Sequence, residues 1–225
     1  MFPLGAALVS AVFAALVARQ WHARRRPHQL TWSLALAAFA IASVAASIGL
    51  RQGWTPPIYR IFYLFGAIVN VPLLAAGTVY LLASRPMGHA FAVLVSAGVL
   101  LAIGAVVAAR PQAAGLAVSA IPAAGAVIPG SLARTLSRSF SYTGFVIVLG
   151  GALGSAWRLA GQGGDEMRRM AAGNILIAAG TLVVASASIA VRFREGSVAA
   201  AIFSGGLLGG VTLMFAGFLT TGRRR

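Results

Sequence analysis

The sequence predicts an all-α, polytopic integral membrane protein whose seven transmembrane helices form one bundle. Of its 225 residues, 59% are hydrophobic and only 9% are charged, whereas a soluble domain carries roughly 25% charged residues. The apolar residues are grouped into runs long enough to cross a hydrocarbon layer of roughly 30 Å. Arginines mark the ends of these runs, as expected for segments anchored between two aqueous surfaces.

The chain is expected to form a single transmembrane domain, 1–225, with spans at residues 2–18, 30–50, 61–83, 87–109, 140–157, 170–191 and 197–220. No basic residue precedes the first span and four arginines follow it within eight residues, which is the reverse of a cleavable signal peptide. Aromatic side chains near the span ends are expected to form interfacial belts. These are Trp21, Trp32, Trp54, Tyr59 and Tyr63.

The arginine distribution predicts the orientation of the chain. With seven spans, eleven of the 18 basic residues lie on the side of the C-terminus, so that side is expected to be cytoplasmic and the N-terminus outside. Segment 110–139 is apolar but interrupted by prolines and glycines, and we interpret it as an outer interfacial loop. An eighth span there would divide the arginines nine against nine and remove the bias. The eleven are Arg19, Arg24, Arg25, Arg26, Arg85, Arg158, Arg168, Arg169 and residues 223–225.

Composition limits the partners and the chemistry. The net charge is +15, and because the arginines flank apolar spans, anionic lipids are simpler partners than nucleic acid. The chain has no cysteine and no lysine, which excludes disulfides, thiol nucleophiles and a Schiff base to retinal or pyridoxal phosphate. The arginine-only, alanine- and glycine-rich usage is typical of a high-GC bacterial genome. We therefore expect a cell (inner or plasma) membrane location.

Asn70 and Pro72 are the unusual residues of the third span. A buried amide without partners costs a few kcal/mol in an apolar medium, so Asn70 is expected to face other helices or a wet cavity. Pro72 donates no backbone hydrogen bond and should leave the Ile68 carbonyl free and kink the helix. Two interpretations stay open: Asn70 joins helices together, or a solute binds at a broken helix, as in transporters.

The sixth span carries a similar polar face, with Asn174 and Thr181. Together with Asn70, Pro72 and Thr78, these residues are the candidate substrate-binding set. The third and sixth spans share an Asn…Ala-Ala-Gly-Thr pattern, and the fourth and seventh spans also match weakly, which suggests an inverted-topology repeat. Chance similarity between Ala/Gly-rich helices is the competing explanation.

Small residues are expected to pack helices together or to mediate self-association or contacts with membrane protein partners. Glycine pairs four residues apart occur in the fifth and seventh spans: Gly150 with Gly154, Gly205 with Gly209, and Gly206 with Gly210. Arg134 and Arg138, one helical turn apart, are a candidate site for an anion or a lipid headgroup. Their alternative role is ordinary interfacial anchoring.

Polar groups for catalysis are scarce. His22, His28, His89, Asp165 and Glu166 fall on the predicted inner side, but no pair shows metal-ligand spacing. No catalytic residue, metal site or cofactor is predicted. Our leading hypothesis is a non-enzymatic helical bundle that binds lipid or protein partners. The alternative is a small-solute transporter or channel at the broken third helix, and the third hypothesis is an inner-face lipid-modifying enzyme.

Overall fold

The computed structural model describes residues 2–117, 121–190, 193 and 196–222, and this part of the chain is helical without strands. Seven helices in it are long and apolar enough to cross a membrane, which is the architecture of a multi-pass membrane protein. Val191, Glu195 and the C-terminal arginines 223–225 lie outside the described residues. The helices are α1 (Phe2–Arg24), α2 (Pro27–Gln52), α3 (Pro56–Leu82), α4 (Arg85–Ala108), α5 (Leu132–Gly161), α6 (Asp165–Ala190) and α7 (Gly196–Gly222).

Six of the helices form a closed ring. Each packs on the next in the order α1, α2, α3, α5, α6 and α7, and α7 returns to α1. Helix α4 lies outside the ring, against α3 and α5. The predicted inverted repeat finds no support in this arrangement, because α7 belongs to the ring whereas its proposed counterpart α4 does not.

The two ends of the bundle differ. The turn end carries three tight connections, residues 25–26, 83–84 and 162–164, and the end of α7. The cap end carries residues 53–55, the start of α1 and the long connection between α4 and α5. We call the described parts of that connection, 109–117 and 121–131, the cap segment. Arg134 and Arg138 were predicted to lie in the loop 110–139, but they belong to α5. Ser131 caps the start of this helix, because its side-chain oxygen accepts a hydrogen bond from the Arg134 backbone N–H.

The cap segment folds back onto the bundle. It contains two short helical turns, Ala113–Leu116 and Ala124–Val127. Leu116, Val127 and Ile128 are buried in one apolar cluster with side chains of the bundle. That cluster includes Trp54, Tyr59 and Tyr63, so the predicted interfacial belt at this end is wrong. These aromatic rings are covered by the cap segment and do not form an exposed belt.

Helices α6 and α7 pack backbone to backbone through glycines. A Cβ atom on Gly180 would lie 2.5 Å from the Gly210 carbonyl oxygen, and one on Gly210 would lie 2.8 Å from the Gly180 carbonyl oxygen. Gly173 and Gly217 make the same kind of contact nearer the turn end. Gly206 packs on Ala187, whereas Gly205 and Gly209 face open space. The predicted pairing of Gly150 with Gly154 as a packing site within the chain is wrong, because both face open space as well.

Helix α3 changes its hydrogen-bond register before Pro72. Residues Leu64–Val69 form a π-helical segment, and the Asn70 backbone N–H donates to the Phe65 carbonyl, five residues back. Pro72 follows in the α-helical part that begins at Asn70, and its predicted effect on the Ile68 carbonyl stays a prediction. The Ala67 carbonyl accepts hydrogen bonds from the Ser137 and Ser141 hydroxyls of α5, at 3.4 and 3.3 Å. Hydroxyl donors of the neighbouring helix thus satisfy a carbonyl of the π-helical segment, at the break in α3.

Candidate functional site

The centre of the ring holds a cavity lined by all six ring helices. Its volume is about 70 Å³. One water molecule needs roughly 10–15 Å³ on this measure, and a benzene ring fills an engineered cavity of about 150 Å³. The space therefore suits a small group or the end of an alkyl chain. Most of its lining is apolar, including Phe13, Val17, Leu36, Leu74, Val148, Ile177, Met214 and Phe218.

The cavity lies in the half of the ring nearer the turn end. Toward the cap end, the rings of Phe62 and Phe203 meet across the interior with their centroids 6.0 Å apart. Toward the turn end, the edge of the cavity is formed by Leu81 and Leu82, which are 48% and 39% exposed. The cavity is thus closed by aromatic packing on one side and approaches the surface on the other.

Two of the five predicted substrate-binding residues line this cavity, Thr78 and Asn174. The Thr78 hydroxyl donates to the Leu74 carbonyl at 3.0 Å, and the Asn174 amide nitrogen donates to the Met170 carbonyl at 3.0 Å. Within the described residues the Asn174 side chain makes no other hydrogen bond, so its amide oxygen is available as an acceptor. Ser155 adds a hydroxyl to the lining.

The other three predicted residues lie elsewhere. Thr181 donates to the carbonyl of Ile177 on its own helix. Pro72 is buried in α3. Asn70 is one turn beyond Leu74, is 6% exposed, and its side-chain oxygen is buried without a hydrogen-bond partner in the described part of the chain. Asn70 is therefore neither in the cavity nor visibly bonded to a neighbouring helix through that oxygen.

Trp32 is a cavity residue that sequence reasoning placed at the membrane interface. Its indole N–H donates to the Leu74 carbonyl at 3.2 Å. Its ring occupies the notch left by Gly77, where a Cβ atom would collide with it. The only sequence signal for this arrangement is the glycine itself, and that signal does not identify its partner.

The histidines and acids of the enzyme hypothesis are spread along the turn end. The His89 Nδ1 atom lies 2.9 Å from the Tyr80 hydroxyl, while His22 and His28 contact Trp21 and Trp32 edge to face. Asp165 and Glu166 occupy the first turn of α6, where acidic groups complement the helix dipole. Among the described residues no group of three or more such side chains is placed to hold a metal ion.

The turn end of the bundle, which is the end nearer the cavity, is strongly basic. Its described arginines are exposed, and the only described acids there are Asp165 and Glu166. An anionic group at this end would thus meet an excess of positive charge. These arginines are Arg19, Arg24, Arg25, Arg26, Arg85, Arg158, Arg168 and Arg169.

Comparison with other proteins adds no assignment: no protein-family model, no curated protein and no solved structure matches this chain.

Proposed function

We propose that this protein is a non-enzymatic membrane protein that binds an anionic amphiphile, a molecule with an alkyl chain and a carboxylate or phosphate head. The chain end enters the ring cavity, and the head lies among the turn-end arginines. The observation that carries this proposal is a largely apolar cavity, formed by all six ring helices, in the half of the ring nearer the strongly basic turn end. Each methylene group removed from water contributes about 0.8 kcal/mol.

The same proposal includes an orientation. Arginine-rich connections are retained on the cytosolic side of a cell membrane, so we place the turn end in the cytosol and the N-terminus outside. The chain has no cysteine, which makes single-cysteine labelling direct. Gln162→Cys should react with an impermeant maleimide only after cells are opened, and Thr55→Cys should react in intact cells. The reverse pattern would contradict this orientation.

Filling the cavity should abolish most of the binding. Ser155→Leu places a branched alkyl group in the cavity and removes room for about two methylene groups, which corresponds to an affinity loss of roughly tenfold. Displacement of a fluorescent fatty acid from purified protein in neutral detergent measures the effect.

Gly154→Leu is the matched control, because the neighbouring position faces open space. The affinity of the Gly154→Leu variant for the fatty acid is expected to stay within about twofold of that of the original chain. Equal affinities of Ser155→Leu and Gly154→Leu would show that the fatty acid binds outside the cavity.

A second function, solute transport, is favoured by one specific observation. Asn70 keeps a buried, unbonded oxygen one turn from the cavity, directly after the π-helical segment of α3. A buried polar atom without a partner is costly and is often retained for function. A rearrangement of this break would extend the cavity to Asn70 and provide the midplane site that transporters use.

A further inference from the structure

A second unsatisfied polar group lies at the other end of the molecule, beneath the cap segment. Tyr59 is 1% exposed, and its hydroxyl has no hydrogen-bond partner among the described residues. Its ring stacks on Tyr63 with centroids 5.6 Å apart, which fixes where the hydroxyl lies. Buried hydroxyls are nearly always hydrogen-bonded to protein, water or a ligand, so this one indicates a missing partner.

Two arginines hold the cap segment over this hydroxyl. Arg60 donates from Nη2 to the Ala109 carbonyl at 2.9 Å, while its Nε atom is buried without a partner in the described structure. Arg134 is half-buried and lies against Gly125, where a Cβ atom would be 3.0 Å from Nη2. Arg134 directly follows Ala133, which is buried in the same apolar cluster as Tyr59 and Tyr63. Hydrogen-bond donors of α3 and α5 therefore lie against the cap segment.

No described carboxylate balances this charge. The described acids, Asp165 and Glu166, begin α6 at the opposite end of the bundle. A partly buried guanidinium is costly unless it is paired and hydrogen-bonded. Among the described residues, the unpaired Tyr59 hydroxyl and Arg60 Nε atom and the lack of a nearby carboxylate favour the same kind of partner, an oxyanion.

We propose that a phosphate group binds beneath the cap segment, accepting hydrogen bonds from the Tyr59 hydroxyl and the Arg134 guanidinium. Arg60 closes the site by holding the start of the cap segment, and Gly125 leaves room for the Arg134 side chain. Arg138 is exposed and contributes only at the rim. The phosphate belongs either to a free phosphate ion or to a lipid headgroup. This site is separate from the ring cavity and independent of the function proposed above.

The test uses the full chain in neutral detergent, with thermal stability followed at increasing inorganic phosphate. The melting temperature should rise saturably with phosphate and not with an equal ionic strength of chloride. Tyr59→Phe, which removes only the hydroxyl, should weaken apparent binding about tenfold, and Arg134→Gln should weaken it at least as much. The matched controls are Tyr142→Phe on α5 and Arg51→Gln on α2, both at exposed positions outside the site. Each should change the apparent phosphate affinity by less than about threefold.

A second arm identifies the source of the phosphate. Short-chain phosphatidic acid also fits the ring cavity, so the variants separate the two sites. The phosphate site would be assigned to a lipid headgroup if phosphatidic acid stabilises the original chain where inorganic phosphate does not, and if Tyr59→Phe removes this effect while the cavity variant Ser155→Leu keeps it. Stabilisation by inorganic phosphate would assign the site to the free ion. The proposal is overturned if neither probe stabilises the original chain, or if Tyr59→Phe and Tyr142→Phe bind alike. Neither outcome bears on the ring cavity, because fatty-acid displacement is measured separately.

Discussion

Gly210→Leu is expected to lower the free energy of unfolding by about 3 kcal/mol or more, because overpacking a close contact forces the backbones apart. A side chain at this position would meet the Gly180 carbonyl oxygen and the Val184 side chain of α6. Neither backbone can move without separating the two helices along their whole contact. Reversible unfolding in mixed micelles, followed by circular dichroism, measures the loss.

The neighbouring residue provides the control for Gly210→Leu. Gly209 lies on the same helix but faces open space, so Gly209→Leu should change stability by less than about 0.5 kcal/mol. A similar destabilisation by both substitutions would mean that leucine destabilises α7 whichever way the position faces. The close crossing with α6 would then not be what stabilises this side of the ring.

Trp32→Ala is the second substitution expected to lower the free energy of unfolding strongly. It removes a ring that fills the notch at Gly77 and a hydrogen bond to the Leu74 carbonyl, which together join α2 to α3. Truncating a packed tryptophan costs about 3–5 kcal/mol, and partial exposure of Trp32 places this variant near the lower figure. Trp32→Phe keeps most of the packing and should lose only about 1 kcal/mol. The same unfolding assay measures both variants.

Trp157 is the matched control for Trp32, because it is 84% exposed on the outer face of α5. Trp157→Ala should leave the unfolding free energy nearly unchanged in micelles. The packing role of Trp32 would be wrong if the two alanine variants were equally stable. Trp32 also lines the cavity, so its truncation should enlarge the cavity and shift binding toward bulkier chain ends.

The number of long helices could be predicted from the sequence, because an apolar run of about 20 residues has few other stable arrangements. The helix ends could not be placed as well. The polar residues 132–139 belong to α5, since Ser131 caps the helix and polar side chains tolerate helical geometry near an aqueous surface. Hydropathy alone assigns such residues to a loop.

The sequence does not predict which face of each helix points into the bundle. Alanine, glycine and leucine occur all around each helix, so no apolar stripe shows which face is buried. Gly150 and Gly210 are indistinguishable by spacing, yet the first faces open space and the second contacts the Gly180 backbone. In the same way, Trp32 and Trp54 satisfy the rule for interfacial aromatics but pack inward.

The candidate site was predicted in part. Thr78 and Asn174 line the cavity because each lies on the ring-facing side of its helix. Asn70 shares a helix with Thr78 but does not reach the cavity. The change of register at Leu64–Val69 alters which side chains share a face, and a pattern based on α-helical spacing does not anticipate it. Ser155 and Trp32 had no distinguishing pattern at all.

Photolabelling tests the ring cavity most directly. A fatty acid with a photoreactive group near its methyl end is added to the protein in neutral detergent, and the labelled peptides are identified by mass spectrometry. Binding in the ring cavity predicts label on Phe13, Leu36, Val148 or Met214, saturating with concentration and displaced by unlabelled fatty acid. Label confined to the outward-facing Val146, Leu153 and Trp157, with no competition, would contradict it.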